Sequence, residues 1–294
     1  MSWKFDSVAG PYKGRTGGLA WDGKSMLFSA VEEERIYKFD PSTGKVSDFR
    51  KYTGRTNGIA VGPNGSVFGA QEGGRRVVEF KSDGSTAPTN DLLDGQHHNQ
   101  PTDIAVDSMG RVWFADAFNT TPPYGPPVYP FPDHASVLRL ERDAKGWALK
   151  RVTTDTKGIR ALALSPDEKT LYVAEGDADR QGPRELRAYP VQGDGSLGKP
   201  KALHEFSANE RGIEGICVAS DGTVIAVGGS SKGGAGALVY VFSAAGALEE
   251  KQPAPADAPM RCAFGDADLG SLYVTTAGGH LYRAKDTGLK GVKR

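Results

Sequence analysis

Two cysteines among 294 residues leave no material for a disulfide framework. No run approaches the ~20 apolar residues that a membrane helix needs. The opening residues, Met1-Ser2-Trp3-Lys4-Phe5-Asp6, show no apolar core of a leader. Charge of one sign is missing too, because 36 Lys and Arg balance 36 Asp and Glu. A nucleic-acid domain carries a basic excess, and an anionic membrane attracts a basic face. Neither is visible. No stretch keeps a helical period over ~11 residues. These absences lead us to expect a cytoplasmic protein, a monomer or simple homo-oligomer, whose partner is a small molecule and not nucleic acid or membrane.

Glycine is what the chain has in excess: 39 residues, nearly double the ~7% average share. The glycines recur beside Asp, Asn and Ser between short apolar alternations, as turn residues in an all-β chain do. Six segments share one pattern of small pair, apolar strand, turn and second apolar strand. Examples are Asn57-Gly58-Ile59-Ala60-Val61 before Val67-Phe68-Gly69, and Arg160-Ala161-Leu162-Ala163-Leu164 before Leu171-Tyr172-Val173. The first apolar residue of each unit falls at 19, 59, 104, 162, 216 and 262. Each step is long enough for the four antiparallel strands of a propeller blade. A third strand follows in every unit, as at Arg35-Ile36-Tyr37-Lys38-Phe39 and Leu238-Val239-Tyr240-Val241-Phe242. The last unit is short, so residues near 3–9 are expected to supply its outer strand and close the ring. The pattern predicts one six-bladed β-propeller domain over residues 1–294, with four-stranded antiparallel blades.

The repeats resemble the gluconolactonase/regucalcin family of six-bladed propeller hydrolases over essentially the whole chain. The matching residues include Gly54-Arg55-Thr56-Asn57-Gly58, Ser165-Pro166-Asp167-Glu168-Lys169-Thr170-Leu171-Tyr172-Val173 and Cys262-Ala263-Phe264-Gly265. The resemblance implies a Ca²⁺ or other divalent ion (Zn²⁺ or Mg²⁺) at the top of the central channel, held by residues that begin the inner strands. Position by position the likeness fails at the metal. The family's first-blade Glu is Gly17, its third-blade Asn is Thr102 beside a retained Asp103, and its fourth-blade Asn is Arg160. Its fifth-blade Asp is Glu214, and its sixth-blade Asn is matched to Arg261. Ca²⁺ takes ~6–8 oxygen ligands, whereas a guanidinium is always protonated and accepts nothing. We therefore expect no cofactor, with Arg160 taking the cation's place and pairing with Glu214. If a metal were bound, Glu214 and Asn57 would be its ligands.

The expected catalytic residues are Glu214 as base, Arg160 as electrostatic stabiliser, and Asp103 and His98 as auxiliaries. For each carboxylate and guanidinium a structural ion pair is the alternative. Asn57, Thr102, Arg261, His97, Glu72 and Tyr124 are expected to contact substrate. His97 and His98 stand in a loop leading into the third inner strand, and one of the two is expected to shuttle protons. Tyr124 belongs to the Pro- and aromatic-rich insertion Asn119–Pro132, read as a rim loop shaping the substrate pocket. Cys217 and Cys262 differ by one position within the repeat, which puts their side chains on opposite faces of their own strands. The expected function is hydrolysis of a small lactone or ester, anionic or polyhydroxylated, at the channel mouth. A metal-free lyase or condensing enzyme using Glu214, and a non-catalytic anion-binding propeller, are the alternatives.

Overall fold

A computed structural model describes residues 2–118, 132, 134–176 and 182–293. Among the described residues there is no helix. Six four-stranded antiparallel sheets form a six-bladed β-propeller. The inner strands are Thr16–Trp21, Thr56–Val61, Gln100–Val106, Ile159–Leu164, Ile213–Val218 and Pro259–Gly265. Each touches the inner strand before and after it, and the sixth returns to the first. The ring therefore places blade three opposite blade six.

Strand Asp6–Ala9 pairs antiparallel with Leu281–Ala284 and completes blade six, as the short last repeat led us to expect. Thr16 reinforces the seam: its Oγ1 donates to the carbonyl of His280 at 2.7 Å and lies 3.1 Å from the Thr276 carbonyl. A closed ring leaves only short inner edges, which face the central channel.

Blades pack face to face through alternating apolar side chains. Phe68, Ala70 and Val77 of blade two meet Ile104, Val112, Phe114 and Leu138 of blade three. One face of each sheet meets the opposite face of the next, so residues one position apart on consecutive blades become neighbours. This is why Cys217 and Cys262, on opposite faces of their own strands, lie in one cluster. Both are free thiols.

The turns between third and fourth strands repeat a device. Asp40, Asp83 and Asp194 each accept the backbone amide of a serine two residues on, at 2.8–2.9 Å. Such Asx turns tie the outer hairpins locally.

Candidate active site at the channel mouth

Every inner strand breaks its ladder near its start. Pairing with the second strand skips one residue between Thr56 and Gly58, Pro101 and Asp103, Ile159 and Ala161, Ile213 and Gly215, and Pro259 and Arg261. In blade one the break falls between Thr16 and Leu19. A bulge leaves its extra residue unpaired and re-aims its side chain. The bulged set is thus Asn57, Thr102, Arg160, Glu214 and Met260, with Gly17 in the same place in blade one. Four of the predicted site residues belong to it.

Arg261 does not. The matching of Arg261 to the family's sixth-blade Asn is corrected by the register: Met260 is the bulged residue, and Arg261 lies one position deeper. At that depth Gly18, Gly58 and Gly215 stand in blades one, two and five. A Cβ there would lie 2.5–2.9 Å from the backbone of the next inner strand. Only Asp103, Ala161 and Arg261 carry side chains at this level. Arg261 Nε lies 3.3 Å from Asp103 Oδ1, an ion pair reaching from blade six to blade three. The Arg261 Nη1 donates to the carbonyls of Glu214 and, at 2.9 Å, Met260, while Nη2 donates to that of Thr102 at 3.1 Å. Asp103 Oδ2 accepts the Leu162 amide at 3.0 Å. Both side chains are buried. Desolvation pushes the Asp103 carboxyl up against the pull of Arg261 and the Leu162 amide.

Glu214 is buried at the ring, and its Oε1 accepts from Arg211 Nε at 2.9 Å. Oε2 has no hydrogen bond from a described residue. Arg160 makes no hydrogen bond or ion pair with a described residue; it acts on Glu214 through space. The expected Arg160–Glu214 contact is therefore corrected: Arg211 is the direct partner. Gly212, at φ 80°, turns the chain so that Arg211 folds back over Glu214. Desolvation raises the Glu214 carboxyl, but Arg160, Arg211 and Arg261 together outweigh it and hold it below 4.5.

A second charged group adjoins the ring in blades one and two. Glu72 Oε1 accepts from Arg15 Nη2 and from Arg55 Nε and Nη2 at 3.2 and 3.1 Å. Its Oε2 accepts Asn57 Nδ2 at 3.0 Å. Arg55 also reaches Glu32 at 3.1 Å. The sequence reading missed Arg15, Arg55, Glu32 and Arg211. The signal was present: Arg15-Thr16-Gly17-Gly18 repeats as Arg55-Thr56-Asn57-Gly58, which places an arginine two residues before the bulge.

The histidines lie apart from these groups. His98 is fully buried, its ring 5.1 Å from that of Phe114 and its Nε2 3.3 Å from the Asn90 carbonyl. Desolvation pushes it down to about 4, so it stays neutral near neutral pH and is no proton shuttle there. The His98 expectation is corrected to a core role. His97 is exposed on the small hairpin of Leu92–Leu93 and Gln96–His97, with Nδ1 3.6 Å from Asp91. None of its described contacts is with a ring residue. Tyr124 lies outside the described residues.

The residues at the mouth do not fit a divalent cation. Gly17 offers no side chain, Met260 a thioether and Arg160 a fixed cation. Glu72, Asp103 and Glu214 are each engaged by guanidinium. Asn57 Oδ1 and Thr102 Oγ1 are buried without a hydrogen-bond partner. Two neutral oxygens and one half-occupied carboxylate fall short of a hard cation's shell. Among the described residues, no three His, Cys, Asp or Glu converge.

Known proteins share the sequence pattern and the fold. A gluconolactonase from Zymomonas mobilis is 28% identical over 275 residues, covering 85% of this chain and 72% of its own. A pentonolactonase from Haloferax volcanii is 26% identical over 272 residues, covering 89% and 81%. The solved structure of a gluconolactonase from Xanthomonas campestris superposes with a TM-score of 0.82 at 25% identity, over 96% of this chain and 89% of that one. The pattern described as "SMP-30/Gluconolactonase/LRE-like region" matches residues 16–278. The chain belongs to the SMP-30/gluconolactonase/LRE-like family.

Proposed function

We propose that this protein hydrolyses a small lactone at the mouth of the propeller channel, with guanidinium charge in the place where its family uses a metal ion. The observation that carries the reading is the bulged ring itself. It sets an ionised carboxylate, Glu214, and a guanidinium without a described partner, Arg160, at the same depth on adjacent blades. Similarity to proteins named gluconolactonase and pentonolactonase supports lactone opening.

In the proposed reaction Glu214 Oε2 takes a proton from water while the water oxygen bonds to the lactone carbonyl carbon. Arg160 stabilises the oxyanion that forms. Collapse of the tetrahedral intermediate breaks the ring C–O bond. The proton passes from Glu214 to the departing alkoxide, giving a hydroxy acid. Arg211 holds one Glu214 oxygen and leaves the other for water. Arg160, whose guanidinium makes no hydrogen bond with a described residue, favours a substrate carrying an acceptor-rich or anionic group beside the carbonyl. Asn57 and Thr102, with buried unpartnered oxygens on adjacent blades, suit hydroxyl groups.

The test is acid release from a panel of neutral and carboxylate-bearing hydroxylactones, with Glu214→Gln as control. Turnover lost in that variant supports the reading. Product formed without uptake of ¹⁸O from labelled water would favour a lyase instead. Binding without turnover, unaffected by Glu214→Gln, would favour an anion-binding propeller.

A further inference from the structure

We propose that Asp103 and Arg261 form a strut across the channel floor whose task is to position Glu214 and Thr102, neither member touching substrate. The inference rests on the lactonase reading for the word "task", but the strut is defined by geometry alone.

Three observations carry it. First, the pair joins opposite blades. A contact between blades three and six is not needed for neighbour packing, because each blade already buries both faces against its neighbours. Second, one guanidinium serves three blades. Arg261 donates to the carbonyl of Glu214 in blade five and to that of Thr102 in blade three, while its own strand is in blade six. Both acceptors are bulge residues, whose own ladder pairing is broken. A bulge without ladder bonds needs another restraint to keep its side chain in one direction. Third, the backbone that carries each strut residue is pressed against the preceding inner strand: a Cβ on Gly58 would lie 2.9 Å from Asp103 Cα, and one on Gly215 2.7 Å from Arg261 Cα.

Burying an ion pair in this way does little for stability, since desolvation offsets most of the attraction. Removing one partner leaves an unpaired buried charge, which is costly. The combination fits a device kept for geometry. Displacing a catalytic group by about 1 Å can cost ~100-fold in rate. The strut also brings Arg261 close enough to join Arg160 and Arg211 in keeping Glu214 ionised.

The test uses the full-length protein with three variants: Arg261→Lys, Asp103→Asn and the double change Asp103→Leu/Arg261→Met. The charge-free double variant has no stranded ion, so it stands in if a single variant fails to fold. Two readouts run in parallel well below each melting temperature. One is steady-state kinetics on the lactone panel. The other is ¹³C-NMR titration of Glu214 in protein labelled at glutamate Cδ, assigned with Glu214→Gln.

A positioning role predicts kcat lowered about 10- to 100-fold in Arg261→Lys and in the double variant, with KM changed less than about threefold. The Glu214 titration stays in place in Arg261→Lys, which keeps the charge, and moves up in the double variant. Wild-type kcat and an unmoved titration in the folded double variant would overturn the strut and leave a mere plug. If wild-type protein opens no lactone, the lactonase reading fails on the kinetic arm. The strut is then judged by crystal structures of the wild type and the folded double variant: Glu214 and Thr102 unmoved overturn it, and their displacement by about 1 Å upholds it.

Discussion

Arg211 Nε stands 2.9 Å from Oε1 of Glu214, three residues further along the same chain. The contact leaves Oε2 without a described partner and adds positive charge beside a buried carboxylate. Desolvation alone would raise Glu214; with Arg160, Arg211 and Arg261 around it, the balance falls below 4.5. The base is ionised through the neutral range. The profile of kcat/KM should be flat from about pH 8 to 5 and fall tenfold per pH unit only below the Glu214 value. Arg211→Gln should move that acid limb upward. A limb already falling through pH 6–7 in the wild type would identify a different base.

Removal of the base and of the electrostatic stabiliser should separate in kinetics. Glu214→Gln is expected to lower kcat by about 10²–10⁴-fold. Arg160→Met should cost about 10²–10³-fold, as loss of an oxyanion donor does. Arg160→Lys, which keeps charge but loses the fork, should recover part of it. Circular dichroism and melting temperature should stay near wild type in the Arg160 variants, because Arg160 bonds to no described residue. An Arg160→Met enzyme with wild-type kcat would remove Arg160 from the reaction.

The close approach of inner strands can be tested at Gly215. A Cβ there would sit 2.6 Å from the Met260 carbonyl and 2.7 Å from Arg261 Cα. Gly215→Ala should cost roughly 1–3 kcal/mol in denaturant unfolding, as overpacking does, and should lower kcat by displacing Arg261. Gly193, where a Cβ meets nothing within 4 Å, is the control, and Gly193→Ala should unfold like wild type.

Asp116 predicts a pH-dependent stability. Burial pushes it up to about 7, against hydrogen bonds from the Asn99 and Gln100 amides and the charge of Arg75. A carboxyl whose folded value exceeds its unfolded 3.8 contributes stability that is fully present below about pH 4. That contribution is lost as pH rises through 7. Asp116→Asn cannot ionise, so between pH 5 and 8 it should gain roughly 2 kcal/mol relative to wild type. Unfolding curves at the two pH values measure the gain. An unchanged difference would mean that Asp116 is ionised in the fold at both.

The fold was legible because six repeats of strand, turn and strand appear as alternations with glycine between them. The ring positions were legible where a residue two places before the first apolar one marks the bulge: Asn57, Thr102, Arg160 and Glu214. By the same spacing from Cys262 the sixth is Met260. Matching Arg261 to the family's Asn moved it one place, and one place in a strand changes depth and direction. Sequence cannot display a bulge, which is a matter of pairing. The partner of Glu214 was hidden for another reason. Arg160 is its counterpart in the next blade, but the turn at Gly212 delivers Arg211 directly. His98 was misread because nearness in sequence to an inner strand suggested the channel, whereas its ring packs on Phe114.

The most direct measurement is the rate of acid release from hydroxylactones by protein dialysed against a strong chelator, with bound metal counted in the same sample. Turnover retained at below about 0.1 metal per chain, and unchanged by added Ca²⁺, Zn²⁺ or Mg²⁺, is the predicted result; the ring then works through Arg160 and Glu214. Turnover that vanishes with the chelator and returns with one divalent ion per chain would contradict it.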